Sequence, residues 1–153
     1  METENKIKIL FIEDVPSDKE LAEMELRKEG IVFISEVVET KNDFIQALNV
    51  FKPDLIISDY SLPSFDGMQA LTIAKEFYPT VPFILYTGSL NEETAVECIK
   101  AGAWDYVIKE HSARLPFAVK ETMEKKAKLK ILKQSEDKYQ TIFESTGTAT
   151  LIV

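Results

Sequence analysis

The chain has 153 residues, of which 45% are hydrophobic and 29% charged, a composition typical of one globular domain with an appendage. It contains one cysteine, Cys98, and one histidine, which excludes an internal disulfide and a Cys/His zinc site. Residues 1–111 carry 10 basic and 21 acidic residues, which argues against direct nucleic-acid binding because phosphate backbones repel an acidic surface.

Five strand-like apolar segments alternate with helix-like segments along the chain. The acidic segment before the first strand contains no signal peptide, and no apolar run could cross a membrane, so we expect a cytoplasmic protein. The predicted strands are residues 8–12, 32–38, 55–59, 82–86 and 104–108. The predicted helices cover residues 17–30, 40–51, 68–78 and 91–100, and a final helix begins between Ser112 and Pro116.

Two local patterns fix helix starts. Ser17 followed by Glu20 is typical of a capping box that opens the first helix. Pro116 fits the first turn of the final helix, where a missing N–H costs nothing. Because the strands are almost continuously apolar and are separated by helices, we expect an α/β fold with a parallel sheet covered on both faces.

The final helix is predicted to be unusually long, since no glycine or proline follows Pro116 until Gly147. An apolar seam continues along it through Leu129, Leu132, Tyr139 and Phe143. One interpretation is a solvated linker helix. The other is a short coiled coil that pairs two chains into a homodimer.

Charged and hydroxyl side chains lie at the carboxyl ends of four predicted strands. Glu13 and Asp14 follow the first strand, Asp59 ends the third, Thr87 follows the fourth and Lys109 follows the fifth. Ligands bind at this edge of open parallel sheets, so these residues should converge on one crevice.

The residue types suit phosphoryl chemistry. Carboxylates that lie close together repel one another unless a cation sits between them, and oxygen ligands suit Mg²⁺. Asp59 can act as a nucleophile that forms an acyl phosphate, while Lys109 neutralises the transferring oxygens. The hydroxyl of Thr87 can donate a hydrogen bond to the attached phosphate.

The chain resembles the response-regulator receiver family of two-component signalling over residues 6–125. The segments that carry the resemblance are residues 9–14 (ILFIED), 55–67 (LIISDYSLPSFDG), 83–88 (FILYTG) and 100–109 (KAGAWDYVIK). The resemblance implies a flavodoxin-like, doubly wound sheet of five parallel strands with five helices. It also implies a switch rather than an enzyme, which takes a phosphoryl group from a histidine kinase or phosphotransfer protein.

The resemblance also assigns roles by position. Asp59 matches the phosphoacceptor, and Lys109 matches the lysine that contacts the phosphate. The implied Mg²⁺ ligands are Glu13, Asp14, Asp59 and the backbone carbonyl of Ser61, with Glu13 acting through water. Thr87 and Tyr106 match the pair that rearranges on phosphorylation. Two positions depart from the family pattern, namely Glu13 in place of the more frequent Asp and Glu110 in place of a proline after the lysine.

The end of the chain has a resemblance of its own. Residues 135–153 (SEDKYQTIFESTGTATLIV) are similar to the opening of a PAS sensor domain. We therefore predict a receiver domain at 1–125, a linker helix at 126–137 and a truncated PAS domain at 138–153, with the final helix relaying the signal to an output domain.

Two other functions remain as alternatives. A docking module could keep the fold and signal by dimerisation without phosphorylation, although it would be expected to lose Asp59, Thr87 or Lys109. A phosphatase of the haloacid-dehalogenase type also uses an aspartyl phosphate. That family needs a second Asp two residues after the nucleophile, where this chain has Ser61.

Overall fold

The computed structural model describes the backbone of residues 6–88 and 91–146, and the side chains of residues 6–88 and 91–135. Its strands are β1 (Ile7–Ile12), β2 (Phe33–Val38), β3 (Leu55–Ser58), β4 (Phe83–Thr87) and β5 (Asp105–Ile108). Its helices are α1 (Pro16–Lys28), α2 (Lys41–Val50), α3 (Gly67–Phe77), α4 (Glu92–Lys100) and α5 (Leu115–Thr146). A 3-10 helix, Lys109–Arg114, joins β5 to α5.

The five strands form one parallel sheet in the order β2-β1-β3-β4-β5. The chain therefore moves outward first to one side of β1 and then to the other, which makes the sheet doubly wound. This confirms the predicted flavodoxin-like α/β fold with five strands and five helices.

The three central strands form the centre of the core. The side chains of Ile9–Ile12 in β1, of Leu55–Ile57 in β3 and of Phe83–Leu85 in β4 are almost completely buried. Leu71 of α3 belongs to the same buried cluster as Leu10, Ile56 and Leu85, and Leu26 of α1 is also completely buried. Burial on both faces explains why these strands are apolar without alternation.

The predicted start of the first helix is wrong by one residue, and so is its cap. Helix α1 begins at Pro16 after Val15, and no side chain caps it. Pro16 has the φ that a helix needs, and its missing N–H would be unpaired at that position anyway. Ser17 therefore lies inside the helix, and the capping box predicted from Ser17 and Glu20 is absent from α1.

The starts of the next three helices also differ by one residue from the prediction, since α2, α3 and α4 begin at Lys41, Gly67 and Glu92. Thr40 and Asn91 accept backbone hydrogen bonds that cap α2 and α4, and Asp66 forms a capping box with Gln69 at α3. Pro116 lies in the first turn of α5.

The segment that follows β5 is a 3-10 helix with an irregular backbone. Glu110 lies within the 3-10 helix, and His111 interrupts its geometry with φ −116° and ψ 45°. Among the described residues no peptide bond is cis, so the bond before Glu110 is trans.

The chain divides into two units, Met1–Thr122 and Met123–Val153. In the second unit Leu129, Ile131 and Leu132 are exposed. The strand predicted within the PAS-like segment, residues 149–153, lies outside the described residues. Within the described ranges, none of the helices combines the length and apolar character that a membrane span requires.

Candidate functional site

The carboxyl ends of β1 and β3 lie side by side because their pairing continues beyond the last strand residues. Ile12 pairs with Ser58, and the amide of Asp59 donates to the carbonyl of Ile12 at 2.9 Å. The amide of Glu13 likewise donates to Val38 at 3.1 Å. Glu13 and Asp59 are therefore fixed by backbone hydrogen bonds at the same edge of the sheet.

Three carboxylates meet at this edge. One oxygen each from Glu13, Asp14 and Asp59 lies within 4.8 Å of the other two. Glu13 is 4% exposed and Asp59 is 8% exposed, so both carboxylates are shielded from water. The structure thus brings together the three acidic side chains that the sequence predicted to converge.

Lys109 reaches these carboxylates from the end of β5. Its Nζ lies 2.9 Å from Oδ2 of Asp59 and 2.8 Å from Oε1 of Glu13. The same Nζ lies 2.7 Å from Oδ2 of Asp18 on α1. A lysine ammonium has three N–H donors, so each donor can serve one carboxylate.

Burial and the contacts of Lys109 shift the pKa values of Lys109 and Glu13. Burial alone lowers the pKa of Lys109, but the hydrogen bonds to Asp18, Glu13 and Asp59 outweigh burial, so this pKa lies above its ordinary value. Burial raises the pKa of Glu13, and the hydrogen bond and charge of Lys109 offset that effect only in part. Lys109 therefore stays charged at neutral pH, while ionising Glu13 costs free energy.

The loop after β3 packs closely against Asp59. The amide of Gly67 donates to the carbonyl of Tyr60 at 2.7 Å, and Ser61 and Asp66 form an isolated antiparallel β-bridge across the loop. A Cβ on Gly67 would lie 2.9 Å from the carbonyl oxygen of Asp59. Glycine is needed here because the start of α3 approaches the backbone of the site too closely for any side chain.

Thr87 and Tyr106 occupy neighbouring strands on one face of the sheet. Thr87 ends β4 and pairs with Ile108, two residues beyond Tyr106. Since side chains alternate along a strand, Thr87 and Tyr106 point to the same face. Thr87 is buried, whereas Tyr106 is 36% exposed.

Two residues of the site were missed by sequence reasoning. Asp18 falls in a segment that is predicted only as the start of the first helix. Its position in the first turn of that helix, four residues after Asp14, is the available signal. Tyr86 is predicted only as the last residue of the fourth strand. Its ring centre lies 5.7 Å from Nζ of Lys109, and burial raises the pKa of Tyr86 to about 12.

The donor set at this edge fits a small, hard divalent cation. Glu13, Asp14 and Asp59 offer only carboxylate oxygens, which Mg²⁺ prefers, and the positive charge of Lys109 does not balance them alone. Asp59 can also serve as a nucleophile, because the ammonium group of Lys109 lies beside the position that a transferred group would take.

Comparisons with known proteins agree with this geometry. The family model of the response regulator receiver domain matches residues 9–120. The chain is 34% identical over 115 residues to the DNA-binding transcriptional regulator NtrC of Proteus hauseri, covering 75% of this chain and 23% of the relative. It is 40% identical over 95 residues to the luminescence regulatory protein LuxO of Vibrio campbellii, covering 61% and 21%. The chain thus spans less than a quarter of these relatives.

Solved structures support the fold as well. The receiver domain of NtrX from Brucella abortus superimposes with a TM-score of 0.68 at 28% identity, covering 76% of this chain and 98% of that one. The family match ends at residue 120 and gives no support to the PAS assignment of the tail. The match over most of the chain, with the acidic edge and its lysine, shows that the chain belongs to the response regulator receiver domain family.

Proposed function

We propose that this chain is a phosphorylation-controlled switch that accepts a phosphoryl group on Asp59 in a Mg²⁺-dependent reaction. The donor is the phosphohistidine of a histidine kinase or phosphotransfer protein. The observation that carries the proposal is the contact of 2.9 Å between Asp59 and Lys109 beside the carboxylates of Glu13 and Asp14.

The transfer balances with the groups present. An oxygen of Asp59 attacks the phosphorus, and the bond between phosphorus and the imidazole nitrogen of the donor breaks. The electron pair of that bond stays on the imidazole, which takes up a proton, and Asp59 becomes an acyl phosphate. Lys109 provides fixed positive charge for the oxygens of the transferring group, so little reorganisation is needed during the reaction.

Mg²⁺ would be held by Asp14, Asp59 and the carbonyl of Ser61 directly and by Glu13 through water. When bound, it would neutralise negative charge on the phosphoryl oxygens. The acidic cluster supports this assignment, because the three carboxylates repel one another without a cation between them.

The signal would leave the site through Thr87 and Tyr106. After phosphorylation, the hydroxyl of Thr87 would donate to the phosphoryl group, and the half-exposed ring of Tyr106 would move in response. Thr87→Ala should then accept phosphate while the amide resonance of Tyr106 stays at its unphosphorylated position. A full shift of that resonance in the variant would exclude this route.

We further propose that α5 joins two copies of the chain and carries the signal to an output domain. Leu129 and Leu132, three residues apart, are exposed on this helix and could form part of a coiled-coil seam. Analytical ultracentrifugation of the full chain should show a dimer that Leu129→Lys with Leu132→Lys dissociates. A wild-type protein that remains monomeric at high concentration would exclude the dimer.

The proposal also covers the location of the protein in the cell and its domain boundaries. A cytoplasmic location is supported by the single cysteine, which suits a reducing compartment. The division into 1–125, 126–137 and 138–153, with the last segment opening a PAS domain, stays a prediction. Limited proteolysis of a longer chain that includes residue 153 would test it, because cleavage should concentrate near 126–137.

The function is tested with a small phosphodonor. The full chain, incubated with acetyl phosphate and Mg²⁺, should gain one phosphoryl group by intact-mass spectrometry, and Asp59→Asn should gain none. No uptake by the wild type would favour the alternative of an unphosphorylated docking module. Rapid turnover of a phosphomonoester would favour a phosphatase, for which Ser61 stands where a general acid is required.

A further inference from the structure

Asp18 holds Lys109 from outside the acidic cluster. It makes the shortest of the three contacts to Nζ, at 2.7 Å, yet the group that could hold a metal comprises only Glu13, Asp14 and Asp59. A cation bound in that cluster would attract the carboxylates of Glu13 and Asp59. Asp18 would then remain as a partner of Lys109 that is not a ligand of the metal.

The position of Asp18 is fixed by the start of α1. It lies in the first turn of that helix, and its amide donates to the carbonyl of Val15 at 3.1 Å. The helix dipole favours a negative charge in this turn. The side chain of Asp18 is 33% exposed, against 13% for Lys109, so its charge is partly screened by solvent.

We propose that Asp18 is a positioning residue that keeps one donor of Lys109 occupied and thereby limits the stabilisation that Lys109 gives to a phosphoryl group on Asp59. This inference rests on the proposed function. In this role the negative charge of Asp18 slows phosphorylation, whereas the other acidic residues of the site support the metal or accept the phosphoryl group.

The negative charge of Asp18 acts in opposite directions on the two ligands of the site. It attracts a divalent cation and so favours Mg²⁺ binding. It repels the transferring phosphoryl oxygens, and it also engages an N–H of Lys109 that could otherwise reach them. Removing only the charge should therefore weaken Mg²⁺ binding but speed phosphorylation once Mg²⁺ is saturating.

The experiment uses Asp18→Asn in the full chain, because asparagine keeps the shape of the side chain but removes its charge, and its neutral amide oxygen holds an N–H of Lys109 less strongly than a carboxylate does. Isothermal titration calorimetry gives the affinity for Mg²⁺. The rate of phosphorylation at saturating Mg²⁺ is followed by intact-mass spectrometry with acetyl phosphate, in which Asp59 displaces acetate from phosphorus. For a partly exposed charge we expect a change of about threefold in each quantity, weaker for Mg²⁺ and faster for phosphorylation.

Two further variants serve as controls. Asp18→Glu restores the charge and should return both quantities toward the wild-type values. Glu20→Gln removes one negative charge at an exposed position of the same helix and should change neither quantity appreciably.

The outcomes separate this inference from the proposed function. Weaker Mg²⁺ binding together with faster phosphorylation in Asp18→Asn supports the proposed role of Asp18. If the wild type accepts phosphate but Asp18→Asn behaves like the wild type, the role of Asp18 is overturned and the proposed function is not. The same conclusion follows if Asp18→Asn loses both Mg²⁺ affinity and phosphorylation rate. A wild type that accepts no phosphate overturns the proposed function, and the role of Asp18 with it.

Discussion

The interior and the carboxyl ends of the three central strands differ sharply in chemistry although they are continuous in sequence. Inside the sheet, residues such as Leu10, Ile56 and Ile84 are apolar and fully buried. One residue beyond β1 and β3 stand Glu13 and Asp59, which are also buried but carry charge. The interior provides stability through burial, whereas the strand ends hold carboxylates that repel one another and whose charge can bind a ligand.

The edge strands sharpen this contrast. β2 lies at one edge of the sheet, and Ile34 and Val37 on it are exposed. β5 lies at the other edge, but Lys109 directly after it reaches the charged centre of the site. The two edge strands thus differ, because β5 is followed directly by a charged residue of the site, whereas β2 contributes the backbone carbonyl of Val38 that accepts from the amide of Glu13.

The largest expected effect is on the interior. Phe83→Ala should lower the free energy of unfolding by about 3–5 kcal/mol, because it removes a fully buried ring from β4 and leaves a cavity. Urea denaturation measures the change. Phe117→Ala is the matched control, since that ring is 59% exposed and its loss should cost much less. Equal losses in the two variants would contradict the assignment of stability to the strand interior.

The next effect concerns the end of β5. Lys109→Met keeps most of the apolar stem but removes the charge that lies 2.9 Å from Asp59. The rate of phosphorylation at saturating Mg²⁺ should fall about 100-fold, as for loss of one fixed donor to a developing charge. Lys100→Met, at an exposed position of α4, should leave the rate unchanged. A Lys109→Met rate within a factor of two of the wild type would rule out this role.

The smallest effect is expected for the end of β1. Burial raises the pKa of Glu13, so its charge costs stability at pH 7, and this cost disappears as the pH falls through the raised pKa toward the ordinary value. In the absence of metal, Glu13→Gln should therefore be up to about 1 kcal/mol more stable at pH 7, and the gain should shrink by pH 4.

Glu13→Gln should also bind Mg²⁺ about tenfold more weakly, because it removes a charge that supports the metal ligands. Thermal denaturation in EDTA measures the stability, and calorimetric titration measures the affinity. A variant that is less stable at pH 7 and binds Mg²⁺ normally would show that Glu13 is a structural residue.

Much of the fold could be predicted from the sequence, because strands buried on both faces leave long apolar runs and the turns contain recognisable caps. The convergence of Glu13, Asp14, Asp59 and Lys109 followed from their places at strand ends. Asp18 could not be placed in the same way, since it lies in the first turn of α1 and not at the end of a strand, and its contact with Lys109 depends on how that helix packs. The one-residue error at Pro16 arose because Ser17 and Glu20 match a common capping pattern, whereas the φ of proline determined where the helix begins.

The central claim is that Asp59 itself carries the phosphoryl group, and locating that group tests it most directly. The phosphorylated full chain is treated with borohydride, which reduces an aspartyl phosphate to homoserine, and is then digested and sequenced by mass spectrometry. We expect homoserine at position 59 and at no other acidic position of the site. Reduction at Glu13, Asp14 or Asp18, or a phosphate that resists borohydride on a hydroxyl such as that of Thr87, would contradict the claim.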